Sequence, residues 1–517
     1  MHSPHGVLFR GNAEADIRKK LIRKGYLKAI IGLPANLFYG TGIPACIIVL
    51  DKSEAHARKG IFMVDASNGF IKDGNKNRLR SRDIHQIVDA YRKGVEVKGY
   101  ARSVSFEEIE KNDFNLNLPR YIDNRAAEDV QDIEAHLQGG IPLRDVDALQ
   151  GYWDICPNLR KSVFEPLRKG YVALSENYQL STLNSQLQAH PDLVAFTDRL
   201  EANFTTWSNK QSVALKHLQQ GFNPKEFIHT FSEDLLTHYQ GQPLIDAYAV
   251  YQHIMDYWTE VLQDDAYLIA ADGWKAETYR ITETNKKTGK TKDKGWACDL
   301  VPKELIVARY FSIEQSAIES QQAELESLEA QRTELEEEHS SEDGAFAELE
   351  KINKANITAR LKELKPSAKG RARPPGEPRQ QELIAAESPS KYNSNEPTSS
   401  EADEYAALQK WLDLNKAEAA LKKAIKDADL ALDQLAYEKY PKLSKSEIQT
   451  LAVDDKWLAT LQQRTHSELD RITQALTQRV KELAERYEAP LPKMANRVDE
   501  LEAKVNTHLE KMGFAWN

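Results

Sequence analysis

Residues 29–52 read AIIGLPANLFYGTGIPACIIVLDK. Two apolar runs, within residues 27–33 and 44–51, have the length of buried strands, and the Gly-, Pro- and aromatic-rich residues between them indicate a loop. Because the connection over residues 34–43 is too short for a helical crossover, we expect the two strands to be antiparallel neighbours. A ligand pocket is expected where this loop opens.

The flanking residues extend the pattern to an α/β sheet. The segment NAEADIRKKLIRK, residues 12–24, has acidic residues in its first turn and basic residues in its last turns, as a helix dipole favours. Asn12 is the predicted cap of this helix, and Gly25 is predicted to end it. The run GIFMVDA, residues 60–66, predicts a third strand, and a further helix is expected over residues 81–93.

The charge of the chain is unevenly distributed. The 517 residues have a formal net charge of -10, yet residues 1–110 hold 19 Lys and Arg against 12 Asp and Glu. A basic N-terminal region in an otherwise acidic protein is consistent with contact to a phosphate backbone. The alternative is that these basic side chains are solvated helix faces.

The cysteines and the apolar runs narrow the class of protein. Cys46, Cys156 and Cys298 are widely separated and form no CxxC pair, so the sequence predicts neither a disulfide framework nor a metal site. No apolar run approaches the roughly 18 residues of a membrane helix, and the N-terminus lacks the order of a signal peptide. We expect a cytoplasmic protein that does not enter the membrane.

The remainder of the chain is mostly helical by its pattern, including a helix with nine Glu and one Arg between residues 313 and 340. A hairpin of strands is expected near YLIAADGW and AETYRITE, and the lysines from Lys286 to Lys294 are expected to follow as a hairpin tip or a mobile loop. The predicted regions are 1–125, the sheet; 126–310, helices with the hairpin; 311–365, a helical hairpin or coiled coil; 366–401, a disordered linker; and 402–517, a helical domain for subunit assembly.

The helices after residue 402 carry a narrow apolar seam. Long acidic helices with such a seam are typical of partner-binding helices, although an ordinary helical bundle is the alternative. The predicted subunit-contact residues on this seam are Trp411, Trp457, Leu461 and Leu476.

Several strings together resemble one family, the methylation subunits of type I restriction-modification systems. The strings are GVLFRGNAEADIRKKL, AIIGLPANLFYGTGIPACIIVLDK, FMVDASNGF with NKNRLRSRDI, NDFNLNLPRYID, and, near the end, VDDKWLATL, ERYEAPLPKM and KVNTHLEKMGF. The resemblance implies the C-terminal part of a Rossmann-like methyltransferase sheet followed by a mostly helical, coiled-coil-containing region. It also implies transfer of methyl from S-adenosylmethionine to N6 of an adenine flipped out of DNA.

The resemblance further implies partners: a specificity subunit that reads the DNA site, a restriction subunit that cuts unmodified DNA, and a second methylation subunit as a further component. The chain departs from the family in its chemistry. Family members carry a Gly-rich cofactor loop and a tetrapeptide of the form (Asn/Asp/Ser)-Pro-Pro-aromatic, and neither is found here. The Pro-Pro pair at Pro374 and Pro375 lies in the predicted linker. The sequence therefore resembles the late, truncated portion of such a subunit.

The resemblance directs attention to the loop between the two strands. Related enzymes stack an aromatic side chain of this loop on the flipped base, so Phe38 and Tyr39 are the base-stacking candidates. Phe38 as an edge residue of the core is the alternative. Asn36 and Thr41 are candidates for lining the pocket, unless they only bond the backbone. The candidate phosphate contacts are Arg10, Arg18, Lys19, Arg78, Arg80 and Arg82.

Three functions are compatible with these observations. The first is a methylation subunit that contacts DNA and assembles with the specificity subunit, and that is catalytically incomplete by itself. The second is a non-catalytic regulatory or structural protein that occupies the specificity subunit. The third is a helical scaffold unrelated to DNA, which the acidic helices favour and the ordered strings disfavour.

Overall fold

The protein divides into two compact units, one formed by the residues up to Trp274 with those from Ala452 onward, the other by Lys275–Leu451. The computed structural model describes residues 2–39, 41–125, 130–284, 289, 291–341, 344–364, 399–488 and 490–513. These units cut across the predicted regions, because the segment after residue 402 is shared between both.

The first unit begins with a module of seven short strands and three helices. Its strands are β1 His2–Pro4, β2 Leu27–Gly32, β3 Ala45–Leu50, β4 Gly60–Asp65, β5 Ile71–Asp73, β6 Lys76–Arg78 and β7 Ala101–Ser105. Its helices are α1 Asn12–Arg23, α2 Ser81–Lys93 and α3 Phe106–Lys111, with 3-10 turns at His5–Leu8 and Leu118–Arg120.

Five of these strands form a mixed sheet in the order β1-β3-β2-β4-β7, and β5 pairs with β6 as a separate hairpin. The predicted antiparallel pairing of β2 and β3 is confirmed, with Ile30 opposite Ile48. Strand β4 runs parallel to β2 and β7 runs antiparallel to β4. Apolar side chains of β2 are buried on both faces of the sheet, since Ile30 and Ile31 belong to two different core clusters.

The predictions for the first helix were half correct. Gly25 ends α1 as predicted, with a φ of +65° and its N–H bonded to the carbonyl of Ile22. Asn12 does not cap it. The cap position is Gly11, without a side-chain hydrogen bond, and Asn12 is the first helical residue with a φ of +54°.

The first unit continues with helices and a small three-stranded sheet in the order β8-β10-β9. These elements are α4 Ile133–Gln138, β8 Ile141–Pro142, α5 Leu143–Asp147, α6 Gln150–Trp153, α7 Pro157–Val163, β9 Phe164–Arg168, β10 Tyr171–Leu174, α8 Leu183–Gln188, α9 Pro191–Lys216, α10 Pro224–Tyr239, α11 Ala247–Tyr257, the π-helical Trp258–Leu262 and α12 Gln263–Asp272.

The strand predicted near YLIAADGW is wrong, because residues 267–272 lie in α12. Leu262, Ala266 and Ile269 are fully buried and recur at helical spacing. A short apolar run does not by itself distinguish a strand from a buried helix. The second predicted strand, near AETYRITE, is confirmed in the other unit.

The second unit holds a two-stranded ribbon and long helices. Its elements are β11 Tyr279–Thr284, β12 Thr291–Ala297, α13 Lys303–Tyr310, α14 Ser312–Glu338, α15 Lys354–Leu364, α16 Ser399–Lys439, a 3-10 turn Tyr440–Lys442 and α17 Lys445–Gln449. The π-helical Thr450–Leu458 leads to α18 Ala459–Tyr487 and α19 Leu491–Lys511 of the first unit.

Helix α14 lies along α16, where ion pairs join Glu329 to Lys422 at 2.6 Å and Arg332 to Glu418 at 2.9 Å. The sequence predicts that α14 forms a hairpin with the following helix. In the structure α14, α15 and the longer α16 all contribute to one apolar cluster. Of the predicted linker 366–401, residues 399–401 lie in α16, and the rest falls outside the described residues.

The residues from Ala452 onward are held to the first unit by buried polar contacts. Asp265 is 2% exposed and accepts hydrogen bonds from Lys456 at 2.7 Å and from the indole N–H of Trp457 at 2.7 Å. His253 and Glu468 form a second contact at 2.9 Å. The C-terminal helices are therefore part of this unit and do not form a separate tail.

None of the described helices combines the length and apolar composition needed to cross a bilayer. Nor do the described side chains include three or more His, Cys, Asp or Glu placed to hold a metal ion.

Candidate functional site

The candidate site lies at the carboxyl ends of the parallel strands β2 and β4, where Gly32 is paired with Asp65. Open α/β sheets bind ligands in the crevice outside such strand ends. The loop from Pro34 to Pro44 leaves β2 at this edge and returns to β3. The loop and the sheet edge therefore bring together residues that are distant in the sequence.

The β5-β6 hairpin fixes the first half of the loop. Asn77 is 6% exposed, and its side-chain amide donates to the carbonyl of Ala35 at 2.6 Å while its backbone N–H donates to the carbonyl of Asn36 at 2.9 Å. Lys76 adds a bond from Nζ to the carbonyl of Phe38 at 3.0 Å. The backbone that carries the aromatic residues is thus held at three carbonyls, those of Ala35, Asn36 and Phe38.

The two base-stacking candidates project from this fixed backbone to solvent. The side chain of Tyr39 is 95% exposed and that of Phe38 is 37% exposed. Their neighbour Leu37, not Phe38, packs against the core cluster of the sheet. The arrangement presents an aromatic surface at the strand ends, which is suited to contact with the flat face of a base.

The pocket candidates Asn36 and Thr41 lie in the same loop and make contacts within it. Asn36 has a left-handed φ of +55°, and a Cβ on Gly42 would come within 3.0 Å of its Oδ1. Thr41 accepts a hydrogen bond from the backbone N–H of Ile43 at 3.1 Å. The Thr41 side chain therefore shapes the loop, and Oδ1 of Asn36 lies against Gly42.

Two further residues at this edge were missed by the sequence reasoning. Asp65 is 5% exposed and accepts a hydrogen bond from Asn124 at 2.8 Å. His5 donates its backbone N–H to the carbonyl of Pro44, and its buried Nε2 has no partner among the described residues. Burial lowers the pKa of His5, although the negative charge of Asp65 acts to raise it.

The sequence held a usable signal for Asp65 but none for His5. Asp65 ends a predicted strand, and the side chain that follows a strand lies at the sheet edge where ligands bind. His5 precedes the first helix in a segment with no clear strand pattern, so its position depends on the pairing of β1 with β3.

The phosphate candidates fall into two classes. Arg18 is 8% exposed, and its guanidinium donates to the carbonyls of Phe114, Val7 and Arg10 within the module. Arg18 thus stabilises the fold, and its burial argues against a phosphate contact.

The other candidates are paired with acidic residues. Arg80 forms a bidentate pair with Asp83, and Arg82 pairs with Asp246. The remaining pairs are Arg10 with Glu14, Lys19 with Asp113, and Arg78 with Asp73. Arg10 and Arg78 have side-chain exposures of 58% and 59%. Arg78 also lies on the β5-β6 hairpin that holds the aromatic loop, so one exposed cation lies beside that loop.

The predicted subunit-contact residues are all buried inside the chain. Trp411 is 3% exposed and lies in the second unit, while Trp457, Leu461 and Leu476 are at most 1% exposed and lie in the first. Their apolar seam packs against other elements of the protein, so these side chains are not presented to a partner.

Helix α19 presents an apolar row in their place. None of its residues is buried. Apolar side chains recur along it at alternating spacings of three and four, with exposures of 46–60%: Leu491, Met494, Val498, Leu501 and Val505. This is the spacing of a coiled-coil seam, and it was visible in the sequence.

Comparison with known proteins concerns the first quarter of the chain. Residues 2–130 match the family model N-6 DNA Methylase. The methylase subunit of the type I restriction enzyme MjaVII of Methanocaldococcus jannaschii is 41% identical over 121 residues, which are 23% of this chain and 21% of that protein. The MpnII methylase subunit of Mycoplasma pneumoniae is 34% identical over 129 residues, 25% of this chain and 24% of that protein.

A solved structure is similar over the same share of the chain. It is the methyltransferase subunit of a type I restriction-modification system from Streptococcus thermophilus, 45% identical over 24% of this chain and 26% of that chain, with a TM-score of 0.22. The chain spans about a quarter of the length of these relatives. The resemblance predicted from the sequence is confirmed for residues 2–130, and for the C-terminal strings it stays a prediction.

Proposed function

We propose that this chain works in adenine-N6 methylation of DNA, as the late portion of a type I methylation subunit. Its partners in this proposal are DNA, the specificity subunit, the restriction subunit and a second methylation subunit. The family match over residues 2–130 supports the proposal. The mixed sheet is then the C-terminal part of a Rossmann-like methyltransferase sheet.

The observation that carries the proposal is the exposed aromatic loop at the ends of β2 and β4. Enzymes that modify a base inside DNA must take it out of the stack, and they hold it by stacking and by hydrogen bonds to its edge. Phe38 and Tyr39 supply the stacking surface, and Asn77 and Lys76 hold the backbone of their loop in place. Arg78 supplies a cation on the same hairpin for the DNA backbone.

The donor of the methyl group in this proposal is S-adenosylmethionine, whose activated methyl is transferred to the adenine amine. The described edge offers aromatic faces for a base, but the sequence lacks the tetrapeptide that holds the amine in line with the methyl. Transfer depends on that alignment. We therefore assign cofactor binding to parts of the complex other than this chain, which is catalytically incomplete by itself.

Calorimetric titration of the chain with S-adenosylmethionine tests this assignment. We expect no micromolar site and no methylation of DNA by the chain alone. A stoichiometric micromolar site would show that the chain holds the cofactor itself.

Base stacking is tested with a duplex that carries an unpaired 2-aminopurine, whose fluorescence reports stacking. We expect Phe38→Ala with Tyr39→Ala to weaken binding of this duplex by about 1–3 kcal/mol per lost ring contact. Tyr267→Ala is the matched control, since Tyr267 is 45% exposed on α12. Equal affinities of the double variant and the control would contradict the stacking role.

Assembly with the specificity subunit is assigned to α19. Its apolar row has the width of a coiled-coil seam, and Arg497, Lys504 and Lys511 follow one flank of that row at intervals of seven residues. A partner helix with an apolar seam and an acidic flank would cover the row and pair with these cations. The buried seam through Trp457 instead holds the first unit together.

The test is co-purification of the full chain with the specificity subunit. Val498→Glu with Leu501→Glu should abolish capture, because two charges would enter the apolar seam. Ala503→Glu, on the polar side of the same helix, is the control and should leave capture intact. Loss of capture by the control, or retention by the double variant, would count against α19 as the docking helix.

A second function, non-catalytic regulation, is favoured by the missing tetrapeptide. In that case the chain occupies the specificity subunit in place of a complete methylation subunit. Adding the chain to a complete methylating complex separates the two functions: inhibition of methylation supports regulation, and an unchanged or increased rate supports participation. A scaffold unrelated to DNA is disfavoured by the family match.

A further inference from the structure

The β11-β12 ribbon of the second unit stands out by its exposure. Every residue of β11 is exposed, including the apolar side chains of Tyr279 and Ile281 at 49% and 41%. The two strands pair antiparallel, with Glu283 opposite Lys292. A two-stranded ribbon without a covering layer is marginally stable in water by itself.

The ribbon is instead anchored at one end. The indole N–H of Trp296 donates to Asp433 at 2.9 Å, and its ring contacts Tyr437 and Tyr440 with centroids 5.3 Å apart in both cases. Lys303 adds an ion pair to Asp433 at 2.7 Å. The base of the ribbon is thus fixed to α16, and the strands beyond it leave Ile281 and their polar side chains exposed.

The charge of the ribbon is opposite to that of its unit. Residues 279–297 contain six Lys and Arg against two Asp and Glu, whereas α14 has nine Glu and one Arg. Both acids are already paired within the ribbon: Asp293 with Arg280 at 2.8 Å and Glu283 with Lys294 at 2.9 Å. Among the described residues this leaves Lys292 without an acidic partner in the ribbon, and Lys286, Lys287 and Lys290 of the connecting sequence fall outside the described residues.

We propose that the β11-β12 ribbon is a second DNA-binding element, which contacts the phosphate backbone of a duplex. A two-stranded ribbon fits the major groove in width, and lysine side chains on it would displace counterions from the phosphates. The hydroxyls of Thr282, Thr284 and Thr291 add exposed donors of the kind that phosphates accept. The binding is sequence-independent.

The proposal shares DNA as a partner with the proposed function but uses different residues. The methyltransferase-like module contacts DNA through its own exposed cations, Arg10 and Arg78. The ribbon belongs to a region that the family match does not reach. Variants in the two regions therefore separate the two assignments.

The experiment measures binding of the full chain to a random-sequence duplex by fluorescence anisotropy at several salt concentrations. The ribbon variant is Lys292→Gln, because Lys294 is already paired with Glu283 and its removal would leave that acid uncompensated. Its control is Lys423→Gln, which removes one exposed lysine from α16 of the same unit. A third variant, Arg10→Gln with Arg78→Gln, reports on the module.

We expect the ribbon variant to bind about eightfold more weakly at 0.1 M salt per lost contact, with a slope of log affinity against log salt that is shallower by about 0.9 per contact. The control should match the unaltered protein in both quantities, and thermal melting should be the same for all variants. A ribbon effect without a module effect supports the ribbon and contradicts the module's DNA contact. A ribbon variant that binds like the control overturns the proposal and indicates that the positive charge of the ribbon contacts an acidic protein surface instead.

Discussion

Removal of the Lys456 ammonium should destabilise the first unit strongly. Lys456 lies with Nζ 2.7 and 2.9 Å from the two carboxylate oxygens of Asp265, in a contact where the two side chains are 11% and 3% exposed. Replacing one member of a buried pair leaves the other charge uncompensated, at a cost of about 3–5 kcal/mol. Trp457 still donates to Asp265 in Lys456→Met, so we expect the lower half of that range.

The assay is urea unfolding at 25 °C, followed by fluorescence and circular dichroism. The matched control is Lys28→Met, which removes a lysine that is 45% exposed and paired with Asp51 at 3.0 Å. Exposed pairs contribute about 0–1 kcal/mol. The double variant Asp265→Asn with Lys456→Met should recover most of the loss, because the amide still accepts from Trp457 and the buried charge is gone.

The pH dependence gives an independent check. Burial raises the pKa of Asp265 above its ordinary 3.8, in spite of the attraction of Lys456. The folded protein therefore holds this proton more tightly than the unfolded chain, and the contribution of Asp265 to stability is largest below about pH 4 and falls as the pH rises. In Lys456→Met the pKa of Asp265 should rise further, so this fall should extend to higher pH. A loss no greater than that of Lys28→Met, or a loss independent of pH, would refute the role assigned to the pair.

Three smaller predictions concern other parts of the first unit. Gly25→Ala should destabilise the protein by more than 1 kcal/mol, because Gly25 has a φ of +65° and a Cβ there would lie 2.0 Å from the carbonyl oxygen of Ala55. Urea unfolding compares it with Gly170→Ala, which has open space around the new Cβ and should show only the strain of its φ of +84°. Burial alone would raise the pKa of Glu468, but hydrogen bonds from neighbouring basic side chains outweigh it and lower this pKa to about 2. The stabilisation by ionised Glu468 should therefore be present above pH 4.5 and lost as the pH falls toward 2, and Glu468→Gln should flatten the acid limb of a stability-against-pH curve. Asn77→Ala should remove the side-chain bond to the Ala35 carbonyl, at about 1–3 kcal/mol for the orphaned carbonyl, while the backbone bond to Asn36 stays, and amide exchange in residues 35–39 should become faster; unchanged exchange there would contradict the anchoring role.

The candidate site was predictable in part because its components are local in the sequence. Two apolar runs with a Gly- and Pro-rich loop between them specify an antiparallel pair and the loop with Phe38 and Tyr39. The partners of that loop were not predictable, since Asn77 and His5 reach it only through the hairpin β5-β6 and the pairing of β1 with β3. Such contacts depend on sheet register, which a single sequence does not contain.

The helical part shows the same division between sequence and tertiary structure. Periodic apolar residues in α14, α16, α18 and α19 established by themselves that these segments are helices and which faces are apolar. They did not establish what covers each face: Trp411 and Trp457 are buried within different units of the chain, and the row on α19 is exposed. A helical period reports that one face avoids water, whereas the identity of the covering surface is decided by long-range contacts such as that of Lys456 with Asp265, because burial is a property of the packed chain and not of a segment.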